Sequence, residues 1–335
     1  MKVLFSNGLP FFLAHGGTQT LLESIMRELG NLGVEVEPER WWDENQKGDI
    51  IHFMNRPAIL NVRAAKQKGF KVIMTENLDQ TASRTAGQLF TQRCFTKVAR
   101  AILPAGLLAR LGWDAYQELD AMVYVVEHEA KVAAYLFNAD QTKMHVIPHG
   151  ADEKALEELA NPQPEEDYLI CTATIHPRKN QVLLAEAAKL AGIPIVFLGK
   201  PYAEDDPYFL KFKSLVDGRI VRYPGFVSTD EKFRYLRGAR GFALLSEFES
   251  GSIAVYEASA AGLPLFLSAL PWANKVYHNC LGSSFTPLHD SYHVSSKLAA
   301  FYKNAHRQKG TTFPLLTWNQ VAAKYVEIYR RMLAE

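Results

Sequence analysis

The residues best suited to chemistry are two glutamates, Glu249 and Glu257, with seven residues between them. A turn of small residues, 250–252, follows Glu249 and leads into a stretch that predicts a helix over 253–261. Gly262 comes directly after this helix and favours its C-terminal cap. An ionised carboxylate only accepts hydrogen bonds, so the hydroxyls of a sugar or a ribose would suit both glutamates. The alternative is that Glu249 caps the helix and Glu257 is solvated.

The elements around the glutamates predict an anion site. Residues 241–245 form an apolar run typical of a buried parallel strand, and 263–267 begin the next one. A tight turn between a strand and a helix brings the first N–H groups of the helix together with the positive end of its dipole. The sequence therefore predicts a phosphate site beside two carboxylates.

The order of these residues resembles the signature of retaining glycosyltransferases of family 4, which have the GT-B fold. Those enzymes typically read E-G-x-G-x-x-x-x-E-A-x-A-x-G-x-P, and the same frame runs here from Glu249 to Pro264. The chain departs at 250–252, where Ser-Gly-Ser replaces the usual Gly-aromatic-Gly. The resemblance implies that Glu249 meets the hydroxyls of the donor sugar and that Glu257 binds the ribose. It also implies donor contacts from the turn residues Gly251, Ser252 and Ile253.

Length and composition set the bounds for the whole chain. The 335 residues suffice for two domains, and 48% hydrophobic with 22% charged residues is typical of a globular protein. A net charge of +1 argues against a nucleic-acid-binding protein. The three cysteines lack C-x-x-C spacing, which favours a reducing compartment. No apolar stretch has the length of a signal peptide core or a membrane span, so we expect a cytoplasmic protein.

The first half, 1–150, alternates strand and helix patterns and predicts a Rossmann-like α/β domain. A loop carrying His15, Gly16 and Gly17 follows the first predicted strand, 2–6. The dinucleotide pattern G-x-G-x-x-G is absent, which disfavours NAD binding. The loop resembles the Gly-Gly turn that family 4 enzymes direct at the donor diphosphate and the acceptor. A plain tight turn is the alternative.

Acceptor-side candidates come from the same half of the chain. Glu76 and Asn77 follow the predicted strand 70–75, at the end where open α/β sheets bind ligands. Many family members carry a histidine near this position, and here His15 and His52 are the neighbouring candidates. A lone histidine on a strand is more often structural, so His52 has that alternative.

No acidic residue occurs between Asp79 and Asp114, where basic and apolar residues alternate. Such a helical stretch, taken as 84–113, predicts contact with an anionic membrane surface. Some family 4 enzymes with lipid-linked acceptors bind membranes through this domain. The alternative is a core helix with a basic outer face.

The second half predicts another Rossmann-like domain, 151–315, whose first residues, 151–167, have the composition of a linker. Arg178 and Lys179 follow the predicted strand 168–174 and suit a diphosphate. The family usually has an arginine five residues before the lysine, where this chain has Thr174. By resemblance Phe226 and Val227 lie against the nucleotide base, although a core role for Phe226 is equally open.

The last segment, 316–335, predicts an amphipathic helix that by resemblance packs back on the N-terminal domain. Together with the resemblance, these features predict a glycosyltransferase with a UDP- or GDP-sugar donor and a glycan, lipid-linked or small-molecule acceptor. The resemblance alone implies a retaining reaction and polysaccharide or cell-envelope glycan synthesis as the setting. Neither a metal nor another cofactor is expected, because no Asp-x-Asp motif or histidine cluster occurs. A nucleotide-sugar 2-epimerase and a non-catalytic nucleotide-sugar-binding protein are the alternatives.

Overall fold

The computed structural model describes residues 1–8, 17–111, 113–161, 163–307 and 315–335. The chain divides into two compact units, Met1–Gly150 with Leu316–Glu335, and Ala151–Leu315. Each unit is built on a six-stranded parallel sheet flanked by helices. The predicted α/β class with two Rossmann-like parallel sheets is therefore confirmed.

The first unit contains strands and helices that alternate along the chain. Its strands are β1 (Lys2–Asn7), β2 (Glu35–Pro38), β3 (Ile50–Met54), β4 (Lys71–Glu76), β5 (Ala121–Tyr124), β6 (Met144–Val146) and β7 (Gly150–Ala151). Its helices are α1 (Gly17–Asn31), α2 (Ile59–Gln67), α3 (Ala86–Ile102), α4 (Ala105–Leu111), α5 (Ala115–Glu118) and α6 (Glu127–Phe137). The sheet order is β2-β1-β3-β4-β5-β6.

The second unit repeats this arrangement. Its strands are β8 (Leu169–Thr172), β9 (Ile195–Leu198), β10 (Val221–Gly225), β11 (Gly241–Leu244), β12 (Leu265–Ser268) and β13 (Ser284–Thr286). Its helices are α7 (Glu153–Ala160), α8 (Gln181–Ala191), α9 (Pro207–Leu215), α10 (Thr229–Gly238), α11 (Ile253–Ala260), α12 (Pro271–Asn274) and α13 (Ser291–Asn304). The sheet order is β10-β9-β8-β11-β12-β13. A short strand β14 (Leu316–Thr317) pairs with β7, and the helix α14 (Trp318–Ala334) ends the chain.

The four central strands of the second sheet form where the sequence is apolar without alternation. All four residues of β8, β9, β11 and β12 are buried, as expected for central strands covered by helices on both faces. Helix α1 instead buries one stripe, with Leu21, Ile25 and Leu29 facing the core at helical spacing. Local patterning therefore accounts for the central strands of the second sheet and for α1.

The residues 151–167 are not the linker that their composition suggested. Glu153–Ala160 form the helix α7, which buries Leu159 in the core of the second unit. Ala155 and Leu156 pack against the same core. The apolar side chains recur at helical spacing, and burying that stripe stabilises a helix despite the charged residues between them.

No helix in the part of the chain that the structure describes is long and apolar enough to cross a membrane.

Helix α14 belongs to the first unit, and a series of buried side-chain hydrogen bonds connects it to the sheet. The imidazole of His52 on β3 is fully buried, with its Nδ1 atom 2.7 Å from the Tyr329 hydroxyl. Its Nε2 atom lies 2.7 Å from the Thr75 hydroxyl, which is 3.0 Å from the hydroxyl of Tyr325. Two strands and α14 are thus joined by satisfied polar groups inside an apolar core. Both ring nitrogens of His52 are thus engaged in internal hydrogen bonds, which favours the structural alternative over an acceptor-side role.

The burial of His52 predicts a specific loss of stability in acid. Burial lowers the pKa of His52 from 6.5 to about 3. Between these values the unfolded chain binds a proton that the folded chain does not. Stability therefore falls as the pH drops through this window, by at most about 1.4 kcal/mol per pH unit. We expect His52→Gln to reduce the pH dependence of the unfolding free energy, measured by urea denaturation between about pH 7 and pH 4.

The control is His278→Gln, because the side chain of His278 is exposed in the second unit. This variant is expected to keep the wild-type slope. The comparison concerns slopes, so a uniform loss of stability in His52→Gln does not affect it. Equal slopes in His52→Gln and the wild type would contradict the assignment.

Candidate active site

The order of the second sheet creates a switch point between β8 and β11. From β8 the chain continues to β9 and β10 on one side, whereas β11, β12 and β13 lie on the other. The loops after β8 and β11 therefore leave the sheet in opposite directions, and ligands of open α/β sheets bind in the crevice between such loops. Arg178 and Lys179 lie on the first loop and Glu249 on the second.

The loop after β8 is held rigidly. Pro177–Lys179 form a single 3-10 turn, capped by the Nδ1 atom of His176, which accepts from the Arg178 N–H at 3.2 Å. Asn180 ends the turn with a left-handed φ of 53°, a conformation that asparagine tolerates better than most residues. Its side-chain amide donates to the Leu245 carbonyl at 3.0 Å, which ties the turn to the end of β11.

Three donors converge on one carboxylate oxygen, Oε1 of Glu249. The Ser246 hydroxyl donates to it at 2.5 Å, Nη1 of Arg178 lies 3.4 Å away, and the Lys179 ammonium forms a close ion pair. Only 10% of the Glu249 side chain is exposed. Burial raises the pKa of Glu249, but Lys179 and Arg178 together outweigh it, so the net shift is downward. The carboxylate is therefore ionised and only accepts hydrogen bonds.

The Arg178 guanidinium is positioned by two further contacts. Its Nη1 atom donates to the Phe248 carbonyl at 2.7 Å, and the guanidinium carbon lies 4.9 Å from the centroid of the Phe248 ring. The Arg178 carbonyl also accepts from the Glu247 N–H at 2.9 Å. These contacts tie the two loops together and hold both cations in place.

The turn after Glu249 leads into α11, as the sequence predicts. Gly251 has a φ of +60°, which suits glycine, and Ser252 occupies the N-cap position. The Ser252 side chain makes no capping hydrogen bond, although its carbonyl accepts from Val255 and Tyr256 at 3.0 and 3.1 Å. The first N–H groups of a helix have no partner within it, so those that begin at Ile253 can serve an anion.

Glu257 has a partner that sequence reasoning missed. Its Oε1 atom lies 2.5 Å from the ammonium of Lys232 on α10, and the two side chains are 13% and 28% exposed. Glu257 is therefore neither solvated nor alone. Lys232 lies 25 residues earlier, on a helix rich in charge, and no spacing in the sequence distinguishes it from its charged neighbours.

Phe226 and Val227 lie just beyond the end of β10 and differ in burial. The Phe226 side chain is 75% exposed, which rules out the core role, and the Lys200 ammonium lies 5.2 Å from its ring centroid. Val227 is partly buried and packs against the core of the unit. The edge of the sheet that carries the switch point therefore presents an open aromatic face beside a cation.

In the first unit, Glu76 is buried and paired. The Arg56 Nε–H donates to it at 2.9 Å, and the Tyr116 hydroxyl lies 2.8 and 2.6 Å from its two oxygens. Burial dominates and raises the pKa of Glu76, against the opposing effects of Arg56 and Tyr116. The Oδ1 atom of Asn77 is buried and has no hydrogen-bond partner among the described residues. Arg56 and Tyr116 were not anticipated, because they lie 20 and 40 residues from Glu76.

The predicted Gly-Gly loop is only partly visible. His15 and Gly16 lie outside the described residues, and Gly17 is the first residue of α1. Of the predicted residues in the second unit, the structure brings Arg178, Lys179 and Glu249 together at the start of α11. Glu257 lies on α11, about one turn after its first residue, Ile253.

The pairing at Glu249 predicts a marked effect of removing one charge. We expect Lys179→Met to destabilise the protein by about 3 kcal/mol, because it leaves a nearly buried carboxylate with a weaker partner. The double variant Lys179→Met/Glu249→Gln removes both charges and is expected to be more stable than Lys179→Met alone. Urea denaturation of the four proteins in this double-mutant cycle measures the coupling.

A matched control is the exposed pair Lys131–Glu127, 2.7 Å apart on α6 with 70% and 73% of the side chains exposed. Lys131→Met is expected to change stability by less than about 0.5 kcal/mol. If Lys179→Met has no larger effect than Lys131→Met, the carboxylate does not depend on Lys179.

Comparison with known proteins yields a family match in the second unit. Residues 151–306 match the family model described as glycosyl transferases group 1. This segment covers nearly all of Ala151–Leu315 and includes Arg178, Lys179, Glu249 and Glu257. The sequence has no significant match among curated proteins.

Solved structures resemble the whole chain in fold. Sucrose-phosphate synthase from Thermosynechococcus elongatus gives a TM-score of 0.68 at 16% identity, with 100% of both chains covered. A glycosyltransferase from Rickettsia africae gives 0.64 at 13%, covering 99% of this chain and 98% of that one. Anabaena HepE in complex with UDP and glucose gives 0.61 at 13%, covering 98% of each chain. The expected fold class is therefore confirmed, and residues 151–306 carry the sequence features of glycosyl transferases group 1.

Proposed function

We propose that the protein is a retaining glycosyltransferase of family 4, which transfers a sugar from a nucleotide-sugar donor to an acceptor. The observation that carries the proposal is the convergence of Arg178 and Lys179 on the carboxylate of Glu249 at a sheet switch point. Two cations and a helix start in one place suit a diphosphate, and the adjacent ionised carboxylate suits a sugar hydroxyl. The family match over 151–306 supports this reading.

In the proposed mechanism, Arg178 and Lys179 bind the donor diphosphate together with the N–H groups of Gly251, Ser252 and Ile253. Cleavage of the bond to the sugar increases the negative charge on the leaving phosphate, and prepositioned cations stabilise that charge most in the transition state. Lys179 exchanges part of its pairing with Glu249 for the phosphate. These groups take the place of a metal ion, so we propose a metal-independent reaction with no further cofactor.

Glu249 is assigned to the donor sugar and Glu257 to the ribose. The contacts of Glu249 with Ser246, Arg178 and Lys179 all use Oε1, which leaves Oε2 to accept from a sugar hydroxyl. Its lowered pKa favours this accepting role over proton donation, which disfavours a 2-epimerase that needs a carboxylic acid. Retention then follows from attack on the face that the phosphate leaves, with the phosphate taking the acceptor proton.

We assign the nucleotide base to the open face of Phe226, with Val227 packed beneath the same loop. The Anabaena neighbour was solved with UDP and glucose, which supports a UDP-sugar over a GDP-sugar.

For the acceptor, we propose the edge of the first sheet at Glu76 and Asn77. The buried Oδ1 atom of Asn77 needs a donor, and an acceptor hydroxyl would provide one.

Nucleotide binding tests the donor site directly. We expect UDP at about 100 times its Kd to raise the melting temperature by about 3 to 5 °C, because it binds only the folded protein. Arg178→Ala and Glu257→Ala are expected to abolish the shift. The panel includes GDP, ADP, dTDP and CDP, and Arg219→Ala is the control, since this exposed arginine precedes β10.

The donor site would be overturned if none of the five nucleotides raised the melting temperature. It would also be overturned if Arg219→Ala abolished the rise as Arg178→Ala and Glu257→Ala do. Release of free UDP from a UDP-sugar only when an acceptor is present separates a transferase from an epimerase and from a non-catalytic binding protein. Chelation with EDTA is expected to leave that release unchanged.

We also propose that the surface of α3 contacts an anionic membrane. One face of this helix exposes Phe90, Phe95, Val98 and Ile102, whose side chains are between 56% and 72% exposed. Lys97 lies beside them and is exposed too. Exposed apolar side chains flanked by cations, with no acidic residue from 80 to 113, match the chemistry of an anionic bilayer surface. With three free cysteines in the chain, the inner, reducing face of the cell membrane is the proposed location, where glycan synthesis would use a lipid-linked acceptor.

Vesicle co-sedimentation tests this contact. We expect binding to phosphatidylcholine vesicles that contain phosphatidylglycerol, and weaker binding at high salt because the charges are screened. Lys97→Glu and Ile102→Ser are each expected to weaken binding several-fold. Leu210→Ser is the control, since Leu210 is 51% exposed on α9 of the other unit. Equal sedimentation of all variants would contradict the assignment.

A further inference from the structure

Two adjacent tryptophans, Trp41 and Trp42, lie exposed just beyond the end of β2. Their side chains are 86% and 67% exposed, although tryptophan is normally among the more buried residues. The indole centroids are 5.6 Å apart and the ring planes meet at 87°. Two open aromatic faces at a right angle form a corner, and the proposed donor site uses neither of them.

The segment that carries the tryptophans is fixed by Arg40. Its guanidinium donates to Glu37 at 2.8 Å and to Asp43 at 2.8 and 3.1 Å, so it bridges the end of β2 and the turn. The side chain of Gln46 accepts from the Arg40 N–H at 2.8 Å and donates to Glu37 at 3.0 Å. A turn anchored on both sides presents the indoles without a large loss of conformational freedom on binding.

The corner lies at the ligand-binding edge of the first sheet. Strand β2 runs parallel to β1, and the Glu39 N–H beyond its end donates to the Phe5 carbonyl at 2.7 Å. The carboxyl ends of β2 and β4 therefore lie at the same edge, where Glu76 ends β4. The two strands are three spacings apart, about 14 Å. An oligomeric ligand could therefore reach from the tryptophans to Glu76 and Asn77.

The charges around the corner distinguish between possible ligands. The segment 39–47 contains three acidic residues, one arginine and one lysine, so its net charge is negative, and Glu39, Glu44, Asn45 and Lys47 are exposed. This charge disfavours anionic phospholipids and anionic glycans, in contrast to the basic surface of α3. Carboxylate and amide oxygens accept hydrogen bonds from hydroxyls. The faces of indole rings carry negative partial charge and attract the C–H groups that cover one side of a sugar ring.

We propose that Trp41 and Trp42 form a subsite for one sugar ring of a neutral oligosaccharide acceptor. This inference rests on the proposed function and specifies its acceptor class. The subsite binds a ring distant from the one that reacts, so it adds affinity for longer acceptors and takes no part in the chemistry.

The test measures glycan binding in the absence of donor. The labelled protein is applied to a microarray of neutral oligosaccharides of about two to eight sugars, and the tightest ligand is then titrated by calorimetry. We expect Trp41→Ala and Trp42→Ala each to weaken its binding by about tenfold, and Trp41→Phe to retain most of the affinity. Tyr292→Ala is the control, because Tyr292 is 75% exposed on α13 of the second unit. All variants are expected to keep the wild-type melting temperature, since the altered side chains are exposed.

Several outcomes would overturn the subsite. These are the absence of any bound neutral glycan for the wild type, and equal affinity in wild type and both alanine variants. Loss of vesicle binding or of dimers in sedimentation on Trp41→Ala/Trp42→Ala, without loss of glycan binding, would assign the corner to a membrane or to a second copy. Nucleotide-induced stabilisation with no glycan effect would reject the subsite and leave the proposed function standing. Glycan binding without nucleotide-induced stabilisation would reject the proposed function and leave the subsite standing.

Discussion

The second unit depends on compensating the charge of one nearly buried carboxylate. Burial favours the neutral acid, whereas Lys179 and Arg178 favour the carboxylate and hold the pKa of Glu249 below its ordinary value. The requirement joins the loops after β8 and β11, which also share the backbone hydrogen bond from Glu247 to Arg178. One electrostatic constraint thus positions both cations, the carboxylate and the start of α11.

The same constraint explains why the site is suited to a charged ligand. Lys179 and Arg178 balance Glu249 before any ligand binds, so the diphosphate of the proposed substrate would meet hydrogen-bond donors that need little rearrangement. Glu257 and Lys232 form a second balanced pair close by on α11 and α10. In the proposed complex, a neutral ribose would use the carboxylate of Glu257 while Lys232 still compensates the charge of that group.

The first unit solves a different problem, which is how to hold a C-terminal helix on an N-terminal sheet. Apolar burial provides the main driving force, with Trp318, Val321 and Tyr325 among the buried residues of α14. The hydroxyls of Tyr325 and Tyr329 are satisfied by Thr75 and His52, so their burial leaves no unpaired polar group there. The outer surface of the unit then divides by charge. The exposed apolar face of α3 beside Lys97 is the proposed membrane contact, and the acidic corner at Trp41 and Trp42 is the proposed sugar subsite.

The sequence by itself determined the kind and order of the elements, because period-3.6 stripes and continuous apolar runs report burial locally. It also determined the turn and helix that carry Glu249 and Glu257, since Gly251 and Gly262 adopt the left-handed φ that most residues avoid and Pro264 cannot continue a helix. The role of α7 was missed, because charged residues obscured a stripe that only packing reveals. The tertiary structure alone decided the partners, namely Lys232 for Glu257, Arg56 and Tyr116 for Glu76, and two hydroxyls for His52. Those pairings join residues between 20 and 277 positions apart on different helices, strands and loops, and no local spacing encodes which of these elements pack together.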